Sequence, residues 1–216
     1  MNILSNFNLI KNEISTISPD KLINLIVVSK GQSQDQIKKL INIGHEHFGE
    51  NRVIESIDKW HELLQLNHNL KLHFIGNLQT NKVTQVVKYY SFVHSLDNPK
   101  LALKICNEEK IQNKSLKHFI QVNLAEENQK SGILKSNLKK FICYCTKDLK
   151  LNIIGLMCIP PINEDSEHYF IQLKNLALDN NLKELSMGMS NDYVPAIKNG
   201  STFLRVGSGI FEEEFN

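Results

Sequence analysis

The feature that most constrains the fold is a regular alternation of short apolar runs with amphipathic segments along nearly all of the 216 residues. Each apolar run predicts a strand, and each following segment repeats apolar residues at helical spacing. The predicted strands cover residues 22–28, 45–48, 70–75, 92–96, 117–124, 151–157, 184–186 and 202–206. Strands that alternate with helices in this way predict an α/β protein, specifically a (β/α)8 TIM barrel.

An extra helix precedes the first strand. Apolar residues at helical spacing between Leu4 and Ile14 predict a helix over residues 1–17, which Pro19 ends. No shift in composition and no linker divides the chain, so we expect one barrel domain over residues 1–216. The alternative architecture is an open doubly wound sheet. It is disfavoured because no G-x-G-x-x-G follows any predicted strand.

Composition excludes several classes of function. The formal charge of +2 gives no reason to expect a nucleic-acid or membrane-surface partner. We see no basic-then-apolar signal segment at the start and no apolar run approaching roughly 18 residues, so we expect a soluble cytoplasmic protein. Cys143 and Cys145 are one residue apart on a predicted helix, a poor geometry for zinc or a disulfide. Free thiols and no metal site are therefore expected.

The first predicted strand ends in a lysine. Leu25 to Val28 form an apolar run typical of a strand buried on both faces, and Ser29 and Lys30 follow it. Ser33 and Gln36 then predict a capping box that opens the next helix. The carboxyl ends of barrel strands are where catalytic and binding residues lie. Most single lysines are merely solvated. Our hypothesis is that Lys30 is the covalent attachment point for pyridoxal phosphate, and the other strand ends test it.

The last two strand ends predict a phosphate site. Loops after the seventh and eighth strands of barrels often bind phosphate. Ser190 is expected to be the N-cap of a helix over residues 190–199, with a hydroxyl that can donate to a phosphate oxygen. Gly207, Ser208 and Gly209 would let backbone N–H groups approach the anion closely. An ordinary cap and an ordinary turn remain the alternative interpretations of these residues.

Arg205 is the third element of the predicted site. It precedes Gly207 by two residues, at the carboxyl end of the last predicted strand. A permanent cation facing the pyridine nitrogen would disfavour protonation of the ring, which would weaken the ring as an electron sink. Direct phosphate binding and a structural ion pair are the alternatives, and the sequence does not choose among the three.

Schiff-base formation requires a lysine that has lost its proton. We expect the strand-end position of Lys30, above a packed barrel, to desolvate the amine partly and so favour its neutral form. A class I aldolase also combines a Schiff-base lysine with phosphate loops. The lysine of such an aldolase usually lies on a late strand, whereas Lys30 follows the first strand. This position argues against an aldolase.

Short motifs are spread over nearly the whole length of the chain. They are VVSK (27–30), FGEN (48–51), HFIGNLQTNK (73–82), QVN (121–123), KSG (130–132), GLM (155–157), LSMGMS (185–190) and the segment 200–207. Each motif is weak alone, but together, in this order and at this spacing, they are highly specific. Through them the chain resembles the pyridoxal phosphate homeostasis protein family.

The resemblance implies a barrel like the N-terminal domain of alanine racemase, with pyridoxal phosphate as cofactor on Lys30. It implies that Arg205 lies near the ring nitrogen, that Asn51 and Met157 line the cofactor pocket, and that the phosphate is contacted by Ser190, Gly207 and Ser208. Lys82 and Lys130 also lie in family motifs; each is either part of a second cofactor site or a solvated lysine.

Lys30 could serve only one face of a bound substrate, which favours a binding protein over an enzyme. We expect a Schiff base on Lys30, buffering of the reactive aldehyde and delivery of cofactor to apo-enzymes, without substantial catalysis. The alternative is a low-activity amino-acid racemase, which needs acid–base groups on both faces of the substrate carbon. His73 or His94 could supply the second base, but a lone strand histidine is more often a core residue. We expect a monomer.

Overall fold

A computed structural model describes residues 2–127 and 129–211. The strands are β1 (Asn24–Val28), β2 (His47–Glu50), β3 (Lys71–Phe74), β4 (Phe92–Leu96), β5 (Lys117–Asn123), β6 (Ile133–Leu134), β7 (Ile153–Met157), β8 (Glu184–Ser186) and β9 (Phe203–Val206). The helices are α1 (Ile3–Ile17), α2 (Gln34–Asn42), α3 (Val53–Leu66), α4 (Val83–Tyr89), α5 (Pro99–Gln112), α6 (Lys135–Cys143), α7 (Ser166–Asp179), α8 (Tyr193–Lys198) and α9 (Ser208–Phe211).

The strands close into a parallel barrel in the order β1-β2-β3-β4-β5-β7-β8-β9. Closure is complete because β1 pairs with both β2 and β9, and β4 pairs with β5. The two-residue β6 lies outside this ring and pairs with β5. The predicted TIM barrel is confirmed, as is the N-terminal helix α1, which packs against α8 and α9.

Side chains alternate between two cores, as barrel strands require. Leu25 and Val27 face outward into the large apolar layer between barrel and helices. Ile26 faces inward, where a smaller apolar cluster fills the interior. Its members are Ile26, Phe92, Phe119, Met157 and Phe203. This inner layer closes the barrel beneath its carboxyl ends, so the barrel is filled and the binding space lies at its mouth.

Most predicted elements are confirmed, but some boundaries were wrong. The predicted strand 45–48 lies at His47–Glu50, because Gly49 and Glu50 continue the ladder opposite β3. The helix predicted over residues 190–199 is only Tyr193–Lys198. The capping box of Ser33 with Gln36 is confirmed, with both hydrogen bonds present.

Candidate functional site

The carboxyl ends of the barrel strands surround a cavity of about 1010 Å³. It collects most of the residues that the sequence predicted for the site. These are Lys30, Asn51, Ser190, Arg205, Gly207 and Ser208. They come from positions as far apart in the chain as β1 and the turn after β9, so the barrel alone brings them together. Met157 does not line this cavity: it is fully buried in the inner apolar cluster below.

Lys30 stands one residue beyond Ser29, just after β1, and its side chain is exposed at the cavity. The expected desolvation at the strand end is therefore not provided by burial in this structure. The backbone beneath it is firmly held, because Ser29 is completely buried and its N–H donates to the Gly49 carbonyl at 3.0 Å. Lys30 thus projects from a fixed strand end into open cavity space.

A buried carboxylate that the sequence analysis missed braces this strand end. The Glu50 side chain accepts hydrogen bonds from the Ser29 hydroxyl at 2.8 Å and the Trp60 indole N–H at 2.9 Å. It also pairs with Lys59 Nζ at 2.7 Å, and the same ammonium donates to the Ser29 carbonyl at 2.7 Å. The network joins β1, β2 and α3 directly behind Lys30. The signal for it was Glu50 at the end of a buried strand, ten residues before the single tryptophan.

Arg205 is a buried cation in the cavity wall, with only 4% of its surface exposed. Its Nη1 donates to the Ser186 hydroxyl at 2.7 Å and its Nη2 to the Cys158 carbonyl at 3.0 Å. Burial lowers the pKa of Arg205 from its ordinary value, and the nearby Asp192 carboxylate acts in the opposite direction. Within residues 2–127 and 129–211, no carboxylate lies within ion-pairing distance of Arg205. Its positive charge is therefore available to an anionic or electron-rich ligand.

Ser190 connects the last two loops of the barrel. The prediction that it is a helix N-cap was wrong: the cap of α8 is Asp192, which makes no side-chain cap bond and instead accepts from the Met189 N–H at 2.6 Å. The Ser190 hydroxyl accepts from the backbone N–H groups of Gly207 at 3.4 Å and Gly209 at 3.2 Å. The N–H groups that the sequence assigned to phosphate thus converge on this hydroxyl oxygen.

Close backbone contacts shape the cavity beside Asn51. A Cβ atom on Gly76 would overlap the Asn51 carbonyl oxygen and lie 2.8 Å from its Cα. Similarly, a Cβ on Gly207 would lie 3.2 Å from the Val28 carbonyl oxygen. The missing side chains allow the loop after β3 to approach the loop after β2, and the turn after β9 to approach the end of β1.

The two other candidate lysines lie apart. Lys130 lines the large cavity and pairs with Glu127 at 2.7 Å. Lys82 lines a neighbouring cavity of about 430 Å³ that also contains Asn51 and Arg52. The two lysines therefore line different cavities.

Two histidines named as candidate bases are fully buried inside the barrel. His73 Nδ1 lies 2.9 Å from His94 Nε2, and His94 Nδ1 lies 2.8 Å from the Ser186 hydroxyl. Burial lowers the pKa of both imidazoles well below the ordinary value, and the charge of Arg205 lowers that of His94 further. They do not line the cavity, so they do not supply a second base at its mouth.

Across the described residues, no group of three or more histidine, cysteine or acidic side chains is arranged to hold a metal ion. Cys106, Cys143, Cys145 and Cys158 are free thiols. No helix in the described part of the chain is long and apolar enough to span a membrane.

The site's chemistry fits pyridoxal phosphate. An amine at Lys30, a buried cation at Arg205 and the loop residues Ser190, Gly207 and Ser208 line one cavity. These correspond to the aldehyde, the ring and the phosphate of that molecule. The fold and the cavity define the class as a TIM barrel whose mouth offers an amine and a buried cation, groups suited to a phosphorylated carbonyl compound.

Comparisons with known proteins narrow this class. Residues 12–214 match the family model described as "Alanine racemase, N-terminal domain". The chain is 34% identical to the pyridoxal phosphate homeostasis protein of Haemophilus influenzae, over 98% of this chain and 95% of that one. It is 37% identical to the protein of the same name from Helicobacter pylori, over 89% of this chain and 88% of that one.

A solved structure agrees with both. PipY of Synechococcus elongatus, with PLP bound, superposes with a TM-score of 0.88 at 30% identity, covering 97% of this chain and all of PipY. The chain therefore belongs to the alanine racemase N-terminal domain family, and within it to the pyridoxal phosphate homeostasis proteins. The resemblance found in the sequence is confirmed.

Proposed function

We propose that this chain binds pyridoxal phosphate covalently through Lys30 and serves in its homeostasis, buffering the cofactor and delivering it to apo-enzymes without substantial catalysis. The observation that carries the proposal is the convergence of Lys30, buried Arg205 and the Ser190 loop on one cavity. The names of the relatives, and PipY with PLP bound, support the choice of ligand.

Each part of the site has a separate task. When bound, pyridoxal phosphate supplies an aldehyde that reacts with amines. Lys30 Nζ would form the covalent bond to the aldehyde carbon, with release of one water molecule. Arg205 would place its charge beside the ring, and Ser190, Gly207 and Ser208 would hold the phosphate. Asn51 would line the edge of the ring site, with Met157 in the packed layer beneath it.

The cellular setting is part of the proposal. We propose that residues 1–216 form one domain that acts as a monomer in the cytoplasm. Free thiols at all four cysteines suit a reducing compartment. Light scattering after size exclusion measures the oligomeric state.

The test begins with the visible absorbance of the purified protein mixed with pyridoxal phosphate. Borohydride reduction and peptide mass mapping then locate the adduct. We expect one adduct, on Lys30, which Lys30→Ala abolishes. The matched control is Lys130→Ala, since Lys130 lines the same cavity. An adduct on Lys130, or one spread over many lysines, would overturn the assignment.

Carrier and enzyme are separated by two further measurements. The loaded protein should reactivate an apo-enzyme that depends on pyridoxal phosphate, and Lys30→Ala should not. Incubation with L-alanine should yield no D-alanine above the level of free cofactor. Sustained racemisation that requires Lys30 would replace the carrier function with the racemase alternative.

A further inference from the structure

A continuous hydrogen-bond chain runs through the barrel interior. His47 Nδ1 lies 2.9 Å from His73 Nε2, and His73 Nδ1 lies 2.9 Å from His94 Nε2. His94 Nδ1 then lies 2.8 Å from the Ser186 hydroxyl, which accepts from Arg205 Nη1 at 2.7 Å. The four links connect residues on β2, β3, β4, β8 and β9.

The chain crosses the barrel from one end to the other. His47 is the first residue of β2 and is half-buried, so it lies at the amino-terminal face. Arg205 is the penultimate residue of β9 and lines the cavity at the carboxyl ends. Between them His73 and His94 are completely buried and stack on Phe92 and Phe119, with ring centroids 4.1 and 4.4 Å apart.

The hydrogen bonds of this chain have one favoured order of donors and acceptors. A guanidinium can only donate, so Ser186 must accept from Arg205. If Ser186 in turn donates to His94 Nδ1, then His94, His73 and His47 each carry their proton on Nε2 and every link has one donor and one acceptor.

The opposite direction fails at Ser186. His94 would donate from Nδ1 to the hydroxyl, and the hydroxyl proton would have no acceptor among the hydrogen bonds of the described residues. Ser186 is completely buried, and an unsatisfied buried donor is costly. The Arg205 charge also favours an arrangement in which the imidazole lone pairs face it.

We propose that His47, His73, His94 and Ser186 form a directed hydrogen-bond chain that positions Arg205 at the cofactor cavity, with all three imidazoles neutral and protonated on Nε2. The role of this hydrogen-bond chain in ligand binding rests on the proposed function, whereas the existence of the hydrogen bonds does not. Ser186 is the positioning residue in direct contact with Arg205, and the histidines hold Ser186 in its donating orientation.

Burial and the surrounding charges together keep the imidazoles of this hydrogen-bond chain neutral. Lys71 on β3 and Lys117 on β5 lower the pKa of His47. Glu46, its neighbour in the sequence, raises that pKa. The pKa of His73 is lowered by its two hydrogen-bonded neighbours and by Lys71 and His45. The pKa of His94 is lowered by Arg205 and His47. Burial is the largest cause in each case, and it lowers the pKa of His47 to about 4.

The test is long-range 1H–15N spectroscopy on histidine-labelled full-length protein without cofactor, with signals assigned by single substitutions. We expect His47, His73 and His94 to show a protonated Nε2 and an unprotonated Nδ1 from pH 8 to pH 6. A protonated Nδ1, or a doubly protonated ring, at any of the three in that range would overturn the proposal.

Propagation along the chain separates it from ordinary packing. Ser186→Ala removes the donor to His94, so we expect the nitrogen shifts of His73 and His47 to change as well, although neither contacts Ser186. Ser186→Thr keeps the hydroxyl and should restore the wild-type pattern. The matched control is Ser201→Ala, a buried serine that donates to the Met187 carbonyl at 2.7 Å outside the chain. Unchanged His73 and His47 in Ser186→Ala would overturn the directed chain.

The positioning of Arg205 has its own readout. We expect Ser186→Ala to weaken pyridoxal phosphate binding about fivefold, the typical value of one hydrogen bond, with Ser186→Thr and Ser201→Ala near wild type. Altered histidine shifts with unaltered affinity would overturn the positioning role. If the wild type does not bind the cofactor at all, the proposed function fails while the spectra still decide the chain. His94→Phe, which keeps the stacked ring, repeats the test if Ser186→Ala does not fold.

Discussion

Lys59 Nζ and the Glu50 carboxylate form a buried ion pair of 2.7 Å directly behind the strand end that carries Lys30. The carboxylate is 2% exposed and also accepts from Ser29 and Trp60. A buried pair of this kind fixes geometry more than it adds net stability. Removing one partner, however, leaves the other charge buried and uncompensated. The position of Lys30 therefore depends on residues that do not touch the cavity.

Glu50→Gln is expected to destabilise the protein by about 3–5 kcal/mol, because it leaves the Lys59 ammonium buried without its counter-charge. Urea unfolding followed by circular dichroism measures the loss. The control is Glu55→Gln, which breaks the exposed Arg52–Glu55 pair of 2.8 Å and should leave the midpoint unchanged. Equal effects from both substitutions would contradict the structural role of Glu50.

Gly76→Ala should open the cavity edge. The new methyl group would overlap the Asn51 backbone, which can yield only by separating the ends of β2 and β3. We expect a loss of about 1–3 kcal/mol and weaker cofactor binding. At Gly209 the nearest atom to an added Cβ is 3.4 Å away, so Gly209→Ala is the matched control for the loss of stability. Wild-type stability of Gly76→Ala in urea would show that these loops are not as closely packed as described.

The barrel itself was predictable because its signals are local and repeated. Each strand is a short apolar run followed by an amphipathic helix, and strand order in a parallel barrel follows chain order. Lys30 and Arg205 could be placed at the mouth for the same reason, since both stand at carboxyl ends of predicted strands. Residues separated by most of the chain therefore needed only the fold class to be brought together.

The hydrogen-bond partners were not predictable in this way. Ser190 was expected to cap α8, but the chain extends further before the helix begins and its hydroxyl meets N–H groups some 17 and 19 residues away. His47, His73 and His94 are each unremarkable on their own strands. Only the register of β2, β3 and β4 aligns them inside the barrel.

Ser190→Ala is expected to distinguish phosphate binding from ring binding. The hydroxyl is proposed to donate to a phosphate oxygen while it accepts from the N–H groups of Gly207 and Gly209, so its loss should weaken binding of pyridoxal phosphate by about five- to tenfold, or roughly 1–1.5 kcal/mol. Pyridoxal, which has no phosphate, is the control ligand and should bind both proteins equally. Equal losses for the two ligands in equilibrium titration would place Ser190 outside the phosphate site.

Acid should destabilise the fold before the carboxylates titrate. Burial lowers the pKa of His45 and His47 to about 4, and that of His73 and His94 well below the ordinary value of 6.5. In the unfolded chain these groups bind protons as the pH falls below about 6.5, while in the folded protein they do not. The unfolded state then holds more protons than the folded state. The free energy of unfolding must therefore decrease as the pH is lowered from about 6.5 to 4.

His94→Phe isolates one contribution to that slope. The substitution keeps a ring to stack on Phe119 and removes one group that must stay neutral to fold. Absolute stability should drop with the lost hydrogen bonds, but the dependence on pH below 6 should become shallower by up to about 1.4 kcal/mol per pH unit. His61→Gln, an exposed position, should leave the slope unchanged. Urea unfolding at pH 7.5, 6.5, 5.5 and 4.5 measures the slope of each protein. A wild-type slope retained in His94→Phe would mean that the buried imidazole accepts a proton in the folded state, and the neutral chain through the barrel would then be wrong as well.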